Sequence, residues 1–474
     1  MKIAMVASEA APLIKTGGLG DVMQGLPAEL SRMKGNEVAL ILPYYGVMKR
    51  NPAIKTEFIT SFAVSMAWRN CHVGVFRVKS RKKLQIYLVD NEQYFNRSRV
   101  YGEGDDGERF AYFAKAALST LAAVGFIPDV IQCNDWQTAL VPMLLKSEFS
   151  STFPNTKTLF TIHNVEYQGW GNNCFNMDVL GLPAEYTDIM DMGGASNFMK
   201  SAVVMADAVS TVSESYAGEL MHPYFAHGMD GMLRQNAHKM RGITNGIDPD
   251  AFNPQTDKRL TLCYDATTVG EGKKANKLAL QKDLGLPQDE DCAMLAMVSR
   301  LVSHKGIDLL TNIADRLLDR RVQLVILGTG DAQYEEFFRA LQEKYPQRVA
   351  AVLQFDGGLA NRIYAAADLY LMPSKSEPCG LSQIIAMRYG TVPIVHAVGG
   401  LKDTVWPFDP QSGKGRGFTF QSYNAEDFLY AIDRALDVFY NQKEAFLRLR
   451  EQDMKEDFSW RKPAKEYMAL FGAL

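Results

Sequence analysis

The chain alternates short, unbroken apolar runs with stretches in which apolar residues recur every three or four positions. That is the pattern of buried strands and one-faced helices. MKIAMVAS (1–8) reads as a buried strand, followed by the loop EAAPLIKTGGLG and a helix from about Leu19 to Met33. EVALILP (37–43) reads as the next strand. A β-rich insert follows and includes CHVGVFRVKS (71–80) and LQIYLVD (84–90). Between Gly107 and Gly125, Phe110, Phe113, Ala114, Ala117, Leu118 and Leu121 mark one helix face. DVIQCN (129–134), TLFTIH (158–163) and AVSTVS (208–213) are then strands, each followed by a helical pattern. The second half repeats the scheme with AMLAMVS (293–299), VQLVILG (322–328), VAAVLQF (349–355), DLYLMPS (368–374) and TVPIVHA (391–397). Leu310, Ile313, Ala314, Leu317 and Leu318 stripe the helix after the first of these. Two such series predict two parallel, doubly wound sheets. The segment NGIDPDAFNPQTD (245–257), rich in Asn, Gly, Asp and Pro, is predicted to link them.

At 474 residues the chain exceeds one typical core and suits two domains. Apolar residues make up 47% and charged residues 22%, with a formal net charge of -3, and nothing in that balance points to a polyanion-binding or basic membrane-surface protein. No nucleic-acid or membrane partner is therefore expected. Glu9 interrupts the first apolar run, so it does not read as a signal peptide, and no stretch is long enough to span a bilayer. Cys71, Cys133, Cys174, Cys263, Cys292 and Cys379 are scattered, with no CxxC pair. They fit reduced thiols in a cytoplasmic enzyme rather than a disulfide or zinc framework.

In open parallel sheets ligands bind beyond the carboxyl ends of the strands. Polar, basic and glycine residues collect there in both halves. A cleft between two domains, each opening its carboxyl edge toward the other, is the simplest geometry. In KTGGLGD, Gly17 and Gly18 precede a helix whose amino end favours an anion, and Lys15 adds a cation. A plain tight turn is the competing reading. Arg300 and Lys305, between a strand and a helix in SRLVSHKG, suit a pyrophosphate better than two solvated surface charges, Arg being able to bind in a fork. In PSKSEPCGLS (373–382), Glu377 precedes Pro-Cys-Gly and a helix begins near Leu381. Glu377 could accept a sugar hydroxyl while the amides of Cys379, Gly380 and Leu381 point at a ligand, or the segment is a capped helix start. His163 could hydrogen-bond a sugar or be a satisfied core histidine. Asp135 and Trp136 could offer a carboxylate and an aromatic wall, although the core is the default for a tryptophan. The acidic strings Asp248-Pro249-Asp250 and Asp289-Glu290-Asp291 read as solvated turns, not as a magnesium site.

Taken together, these residues closely resemble the bacterial glycogen synthase and plant starch synthase family. The resemblance runs nearly end to end, through KTGGLGD (15–21), ERFAYF (108–113), NDWQTAL (134–140), the HN..YQG pattern at 163–169 and NGID (245–248). It continues through SRLVSHKGIDLL (299–310), PSKSEPCGLSQ (373–383), MRYGTVPIV (387–395) and GGLKDTV (399–405). It implies a GT-B fold: two Rossmann-like domains facing an interdomain cleft, with residues 1–245 on the acceptor side and 246–460 binding the nucleotide sugar. A C-terminal helix near 461–474 would return to the first domain. The implied reaction moves glucose from ADP-glucose to the non-reducing 4-hydroxyl of an α-1,4-glucan (glycogen or a malto-oligosaccharide), with retention and without a cofactor or metal. Lys15, Gly17, Gly18, Arg300 and Lys305 would hold the donor's phosphates. Glu377, Ser382 and the 379–381 backbone would hold its glucose. His163, Asn245 and Asp21 would line the reaction centre, and Asp135 and Trp136 would lie toward the acceptor.

Some positions depart from the family's pattern. Lys375 and Ser376 stand where Arg and Phe are common, Gln354-Phe355-Asp356-Gly357 replaces Gly-Tyr/Phe-Asp-Glu, and His396-Ala397-Val398 replaces Arg-x-Thr. The stretch GWGNNCFNMDVLG (169–181) is also unusual. These bear on nucleotide preference, with UDP-glucose the alternative donor, and on acceptor binding. Another retaining GT-B transferase would share the C-terminal Arg, Lys and Glu but not the KTGGL loop. A sugar-nucleotide epimerase would transfer nothing to a glucan. A non-catalytic glucan scaffold would be expected to have lost Lys15, Arg300 and Lys305, and all three are present.

Overall fold

The computed structural model describes residues 1–80 and 83–474. The chain divides into two compact units, one of residues 1–246 and 460–474, the other of residues 247–459.

The first unit is built on a nine-stranded sheet. Its strands run, in spatial order, Met240–Gly242, Ala208–Thr211, Lys157–Ile162, Val130–Asn134, Lys2–Val6, Glu37–Pro43, Gln85–Asp90, Arg69–Val78 and Thr56–Met66. The first seven are parallel and the last two antiparallel. The segment LQIYLVD is therefore not part of an insert. It pairs in parallel with EVALILP inside the main sheet, and the insert is only the hairpin of Thr56–Met66 with Arg69–Val78. That hairpin alternates buried and exposed residues, as an edge with one wet face should. The helix Asp106–Ala123, predicted to bury one face, is buried on nearly every side. Lys115 inside it donates to the carbonyls of Ser65 and Leu180 and pairs with Glu148.

The terminal helix Arg461–Gly472 completes this unit. Trp460, Tyr467 and Phe471 are buried, and the Trp460 indole lies directly on Gly25 of the helix Gly18–Arg32. Only a residue without a side chain allows that approach.

The second unit carries six parallel strands in the order Val349–Val352, Val322–Leu327, Ala293–Val298, Leu369–Met372, Val392–His396, Phe418–Phe420. Numbered along the chain this is 3-2-1-4-5-6, the doubly wound order. The helix Ile307–Leu318 packs its predicted stripe into the core beneath. The strand expected over 349–355 stops at Val352 because Gln354 and Phe355 turn outward before the helix Gly357–Ala366. The segment 245–257 is not a free linker. Ile247 donates to Phe458 O, and the buried Asp257 accepts from Asn361 and Tyr389, so its turns are anchored in the second unit. Asp and Asn there bond their own backbone, which makes ordered turns as readily as spacers.

Candidate active site

In each sheet the crevice for a ligand opens where two neighbouring strands send their connections in opposite directions. In the first unit this point lies between Lys2–Val6 and Val130–Asn134. Beyond the first strand, the Lys15 ammonium pairs with Asp21 at 2.7 Å. Burial pushes the Asp21 carboxyl up and Lys15 draws it back. Glu9, only 2% exposed, takes the Thr16 amide at 2.5 Å and its hydroxyl at 2.7 Å. Glu9 thus holds the loop that presents Lys15, Gly17 and Gly18, although nothing in the sequence reading pointed to it. A charged residue just past a buried strand was the available signal. Gly17 precedes the helix without any side-chain cap.

Beyond the second strand, Asn134 donates to Val6 O at 3.0 Å, which turns its Oδ1 toward His163 Nε2, also at 3.0 Å. That network assigns the proton to Nε2 and leaves Nδ1 as an acceptor. Burial pushes the imidazole down to about 3, so it is neutral at pH 7. The adjacent Asp135 has a positive φ of 56°, and its Oδ1 accepts the amides of His163 at 2.7 Å and Asn164 at 3.3 Å. Burial lifts this carboxyl to about 7. Both side chains are half-buried at their surface, yet protein surrounds the ionising atoms. Trp136 is neither core nor free: half-buried, it packs edge-to-face on Phe110 at 5.2 Å and against Phe198 at 6.3 Å. Asn245 is buried, and its Oδ1 has no partner among the described residues.

In the second unit the corresponding point lies between Ala293–Val298 and Leu369–Met372. Arg300 follows the first strand, exposed and without an ion pair among the described residues. Lys305 Nζ pairs with Glu377 Oε2 at 2.6 Å, and the Ser374 hydroxyl donates to the same oxygen at 3.1 Å. Predicted separately for phosphate and sugar, Lys305 and Glu377 are thus in direct contact. Gln383 donates to the carbonyls of Cys379 and Gly380 at 3.1 and 3.0 Å. In a trans peptide the amide opposes its carbonyl, so the amides of Gly380 and Leu381 face away from Gln383. Gly380 has φ +72°, and a side-chain carbon there would strike Gln383. Ser382 opens the helix Ser382–Arg388 and its hydroxyl turns to the Met372 sulfur. Phe355, met in the sequence only within the departure Gln354-Phe355-Asp356-Gly357, is 89% exposed beyond Val349–Val352 and is a further candidate.

The two acidic strings are turns. Asp248 Oδ1 accepts the amides of Asp250 and Ala251, and Asp289 accepts that of Asp291 while pairing with Arg321. Among the described residues no cluster of His, Cys, Asp or Glu is placed to hold a metal ion, and no helix is long and apolar enough to cross a membrane.

Comparison with known proteins bears on the family and the fold. The family described as starch synthase catalytic domain matches residues 2–235, and that described as glycosyl transferases group 1 matches residues 281–445. The glycogen synthase of Clostridium perfringens is 47% identical over all of this chain and 98% of its own length. That of Streptococcus agalactiae serotype III is 44% identical over the whole of both chains. The catalytic domain of starch synthase IV from Arabidopsis thaliana, bound to ADP and acarbose, superposes with a TM-score of 0.92 at 34% identity, covering 99% of this chain and 98% of that one. Sucrose-phosphate synthase from Thermosynechococcus elongatus shares the fold alone, with a TM-score of 0.62 at 21% identity. Two Rossmann-like units of this kind are the GT-B fold, and the chain is a glycosyltransferase. It belongs to the glycogen and starch synthase family, the enzymes of α-glucan synthesis.

Proposed function

We propose that the enzyme transfers glucose from ADP-glucose to the non-reducing 4-hydroxyl of an α-1,4-glucan, with retention of configuration and without a metal. The observation that carries this reading is the Lys305–Glu377 pair beside the exposed Arg300, at the switch point of a 3-2-1-4-5-6 sheet. Two cations follow the strand beside the switch point, where a doubly wound sheet takes a nucleotide's phosphates, and Lys305 carries a paired carboxylate. The ADP bound to the Arabidopsis enzyme favours an adenine nucleotide. Phe355 offers an exposed face for its base.

In this reading Arg300 and Lys305 neutralise the phosphates, and Lys15 with the amides of Gly17 and Gly18 is the first unit's own place for an anion. Glu377 accepts a glucose hydroxyl through the oxygen not engaged by Lys305 and Ser374. The amides of Cys379, Gly380 and Leu381 and the Ser382 hydroxyl hold the same sugar. Neutral His163 accepts a sugar hydroxyl at Nδ1, and Asn245 and Asp21 line the reaction centre. Asp135 sets the His163 loop, and Trp136 offers a wall to the acceptor. The bond from the anomeric carbon to the phosphate oxygen breaks as that from the acceptor's O4 forms on the same face. The departing phosphate takes the O4 proton. Catalysis is then chiefly electrostatic, by charges already in place. The reading also makes the enzyme cytoplasmic, where sugar nucleotides are found.

The test is transfer of labelled glucose into precipitable glycogen, with ADP-glucose and UDP-glucose competing at equal concentration. ADP-glucose should dominate, and EDTA should leave the rate largely unchanged. A preference for UDP-glucose, or abolition by EDTA with rescue by Mg²⁺, would overturn the donor or the metal-free mechanism respectively.

A further inference from the structure

At His396 the chain departs from the family's arginine. This histidine closes the strand Val392–His396 and is 5% exposed. Its ring lies against Phe420 and Tyr423, with centroids 5.1 and 5.4 Å away. Nδ1 is 2.8 Å from Ser374 O, and Nε2 is 3.2 Å from Gln421 O. Ser374 and Gln421 follow the strands on either side, Leu369–Met372 and Phe418–Phe420. One side chain thus spans the ends of three neighbouring strands. Burial holds the imidazole below its ordinary value, against the pull of both carbonyls, so at pH 7 it is neutral and carries one proton. The shorter contact takes that proton, and Nδ1–H donates to Ser374 O.

The carbonyl that His396 holds belongs to the peptide between Ser374 and Lys375. The amide of the same peptide donates to His304 O at 2.9 Å. A trans peptide points these two groups in opposite directions, so the unit is gripped from both sides. His304 is followed by Lys305, and the Ser374 hydroxyl donates to the Glu377 oxygen that Lys305 pairs with. A side-chain carbon at Gly306 would lie 2.0 Å from Pro373 O, so the turn carrying Lys305 sits directly on this backbone. Ser374 and Lys305, which hold the Glu377 carboxylate, are therefore both tied to one peptide.

We propose that His396 is a positioning residue for glucosyl transfer: its bond to Ser374 O fixes the Ser374–Lys375 peptide and, through it, the placement of Glu377 against Lys305. It acts through Glu377 and not on the substrate. The proposal rests on the roles given to Glu377 and Lys305 under Proposed function. An arginine would bring several N–H donors and a permanent charge, whereas a neutral imidazole brings one donor. With one proton to give, the ring commits it to Ser374, and the site depends on that single bond.

The test measures steady-state transfer to glycogen by the full-length enzyme carrying His396→Phe, His396→Asn, Glu377→Ala, or His396→Phe with Glu377→Ala. Phenylalanine keeps a ring among the aromatic neighbours and removes both nitrogens. Asparagine offers an amide N–H near the place of Nδ1. His396→Phe should lower kcat about ten- to a hundredfold, the scale of a misplaced contact, with the acceptor KM unchanged. His396→Asn should recover most of that loss. In the Glu377→Ala background His396→Phe should lower kcat hardly further, because the group it acts through is gone. An equal factor in both backgrounds would overturn the proposal, since His396 would then serve general packing. Full turnover in His396→Phe would overturn it too. Should His396→Phe fail to fold, His396→Gln replaces it: its amide reaches toward Gln421 and not Ser374, so it should lose the turnover that His396→Asn keeps. Equal turnover of those two variants would also sink the proposal. Failure of the underlying reading is distinguishable, because Glu377→Ala by itself would then leave turnover whole.

Discussion

Each unit carries a lysine–carboxylate pair near the carboxyl ends of its strands, and the two differ in burial far more than in length. Lys305–Glu377 spans 2.6 Å with side chains 18% and 9% exposed, whereas Lys15–Asp21 spans 2.7 Å with 41% and 24% exposed. The first is embedded: Glu377 also takes the Ser374 hydroxyl, and the Lys305 backbone is fixed in a turn ahead of the helix Ile307–Leu318. The second sits on a loop tied down by Glu9. A buried pair loses heavily when one partner goes, because the other charge is stranded. An open pair can exchange its partner for an incoming anion at little cost. Under the proposed function the buried pair would be a preformed part of the site, and the open one would be free to respond to a ligand.

Substitutions should separate the two, beginning with the buried pair. Lys305→Ala should lower turnover by about a hundred- to a thousandfold, typical for loss of a preorganised charge contact. It should also lower the melting temperature, which Glu377→Ala added to it should partly restore. Glu377→Ala alone should cut turnover and lower melting too, but by less than Lys305→Ala. The stranded Lys305 is the more exposed partner and a long side chain able to turn to water. Strictly additive melting shifts in the double variant would remove the coupling argued here.

Arg300→Ala should cost a similar factor in turnover, roughly 2.7–4 kcal/mol of barrier, with no change in melting because the side chain is exposed. The phosphate gains charge as the glycosyl bond breaks, so the loss should fall on kcat more than on donor binding. Arg300→Lys should stay impaired, lacking the two-pronged contact. An effect confined to the donor KM would reduce Arg300 to a ground-state clamp.

Lys15→Ala should cost less than either, on the order of tenfold or a few tens in kcat/KM, with melting nearly unchanged since exposed pairs contribute little. A stability loss matching that of Lys305→Ala would erase the contrast between the pairs.

The remaining effect falls on stability alone and concerns Asp135. Its carboxyl titrates near 7 in the folded chain but from 3.8 when unperturbed. A raised carboxyl favours the folded state in acid: its contribution is complete below about pH 4 and is lost as pH rises through 7. His163, pushed down to about 3 from 6.5, works in the opposite sense, losing stability as pH falls below its unfolded value. Asp135→Asn keeps an acceptor for the His163 amide and removes only the first contribution. Melting measured from pH 4 to 7 should therefore fall less with rising pH in the variant than in the wild type. Identical slopes would contradict the raised carboxyl.

Local chemistry was legible along the chain wherever neighbours in sequence supply it. Five-residue apolar runs, the Leu310–Leu318 stripe and the polar residues after each strand are short-range patterns, and they were enough to read two doubly wound sheets and the loops at their ends. Burial on all sides of Asp106–Ala123, the parallel pairing of Gln85–Asp90 and the anchoring of 245–257 depend on what packs against them. So do the contacts that tune the site. Lys305 meets Glu377 across 72 residues, and His163 meets Asn134 across 29. A side chain's type states which bonds it is able to make. Which partner reaches it, and how much water remains around its charge, is settled only when distant segments close over it and the desolvated group must be paired or neutral.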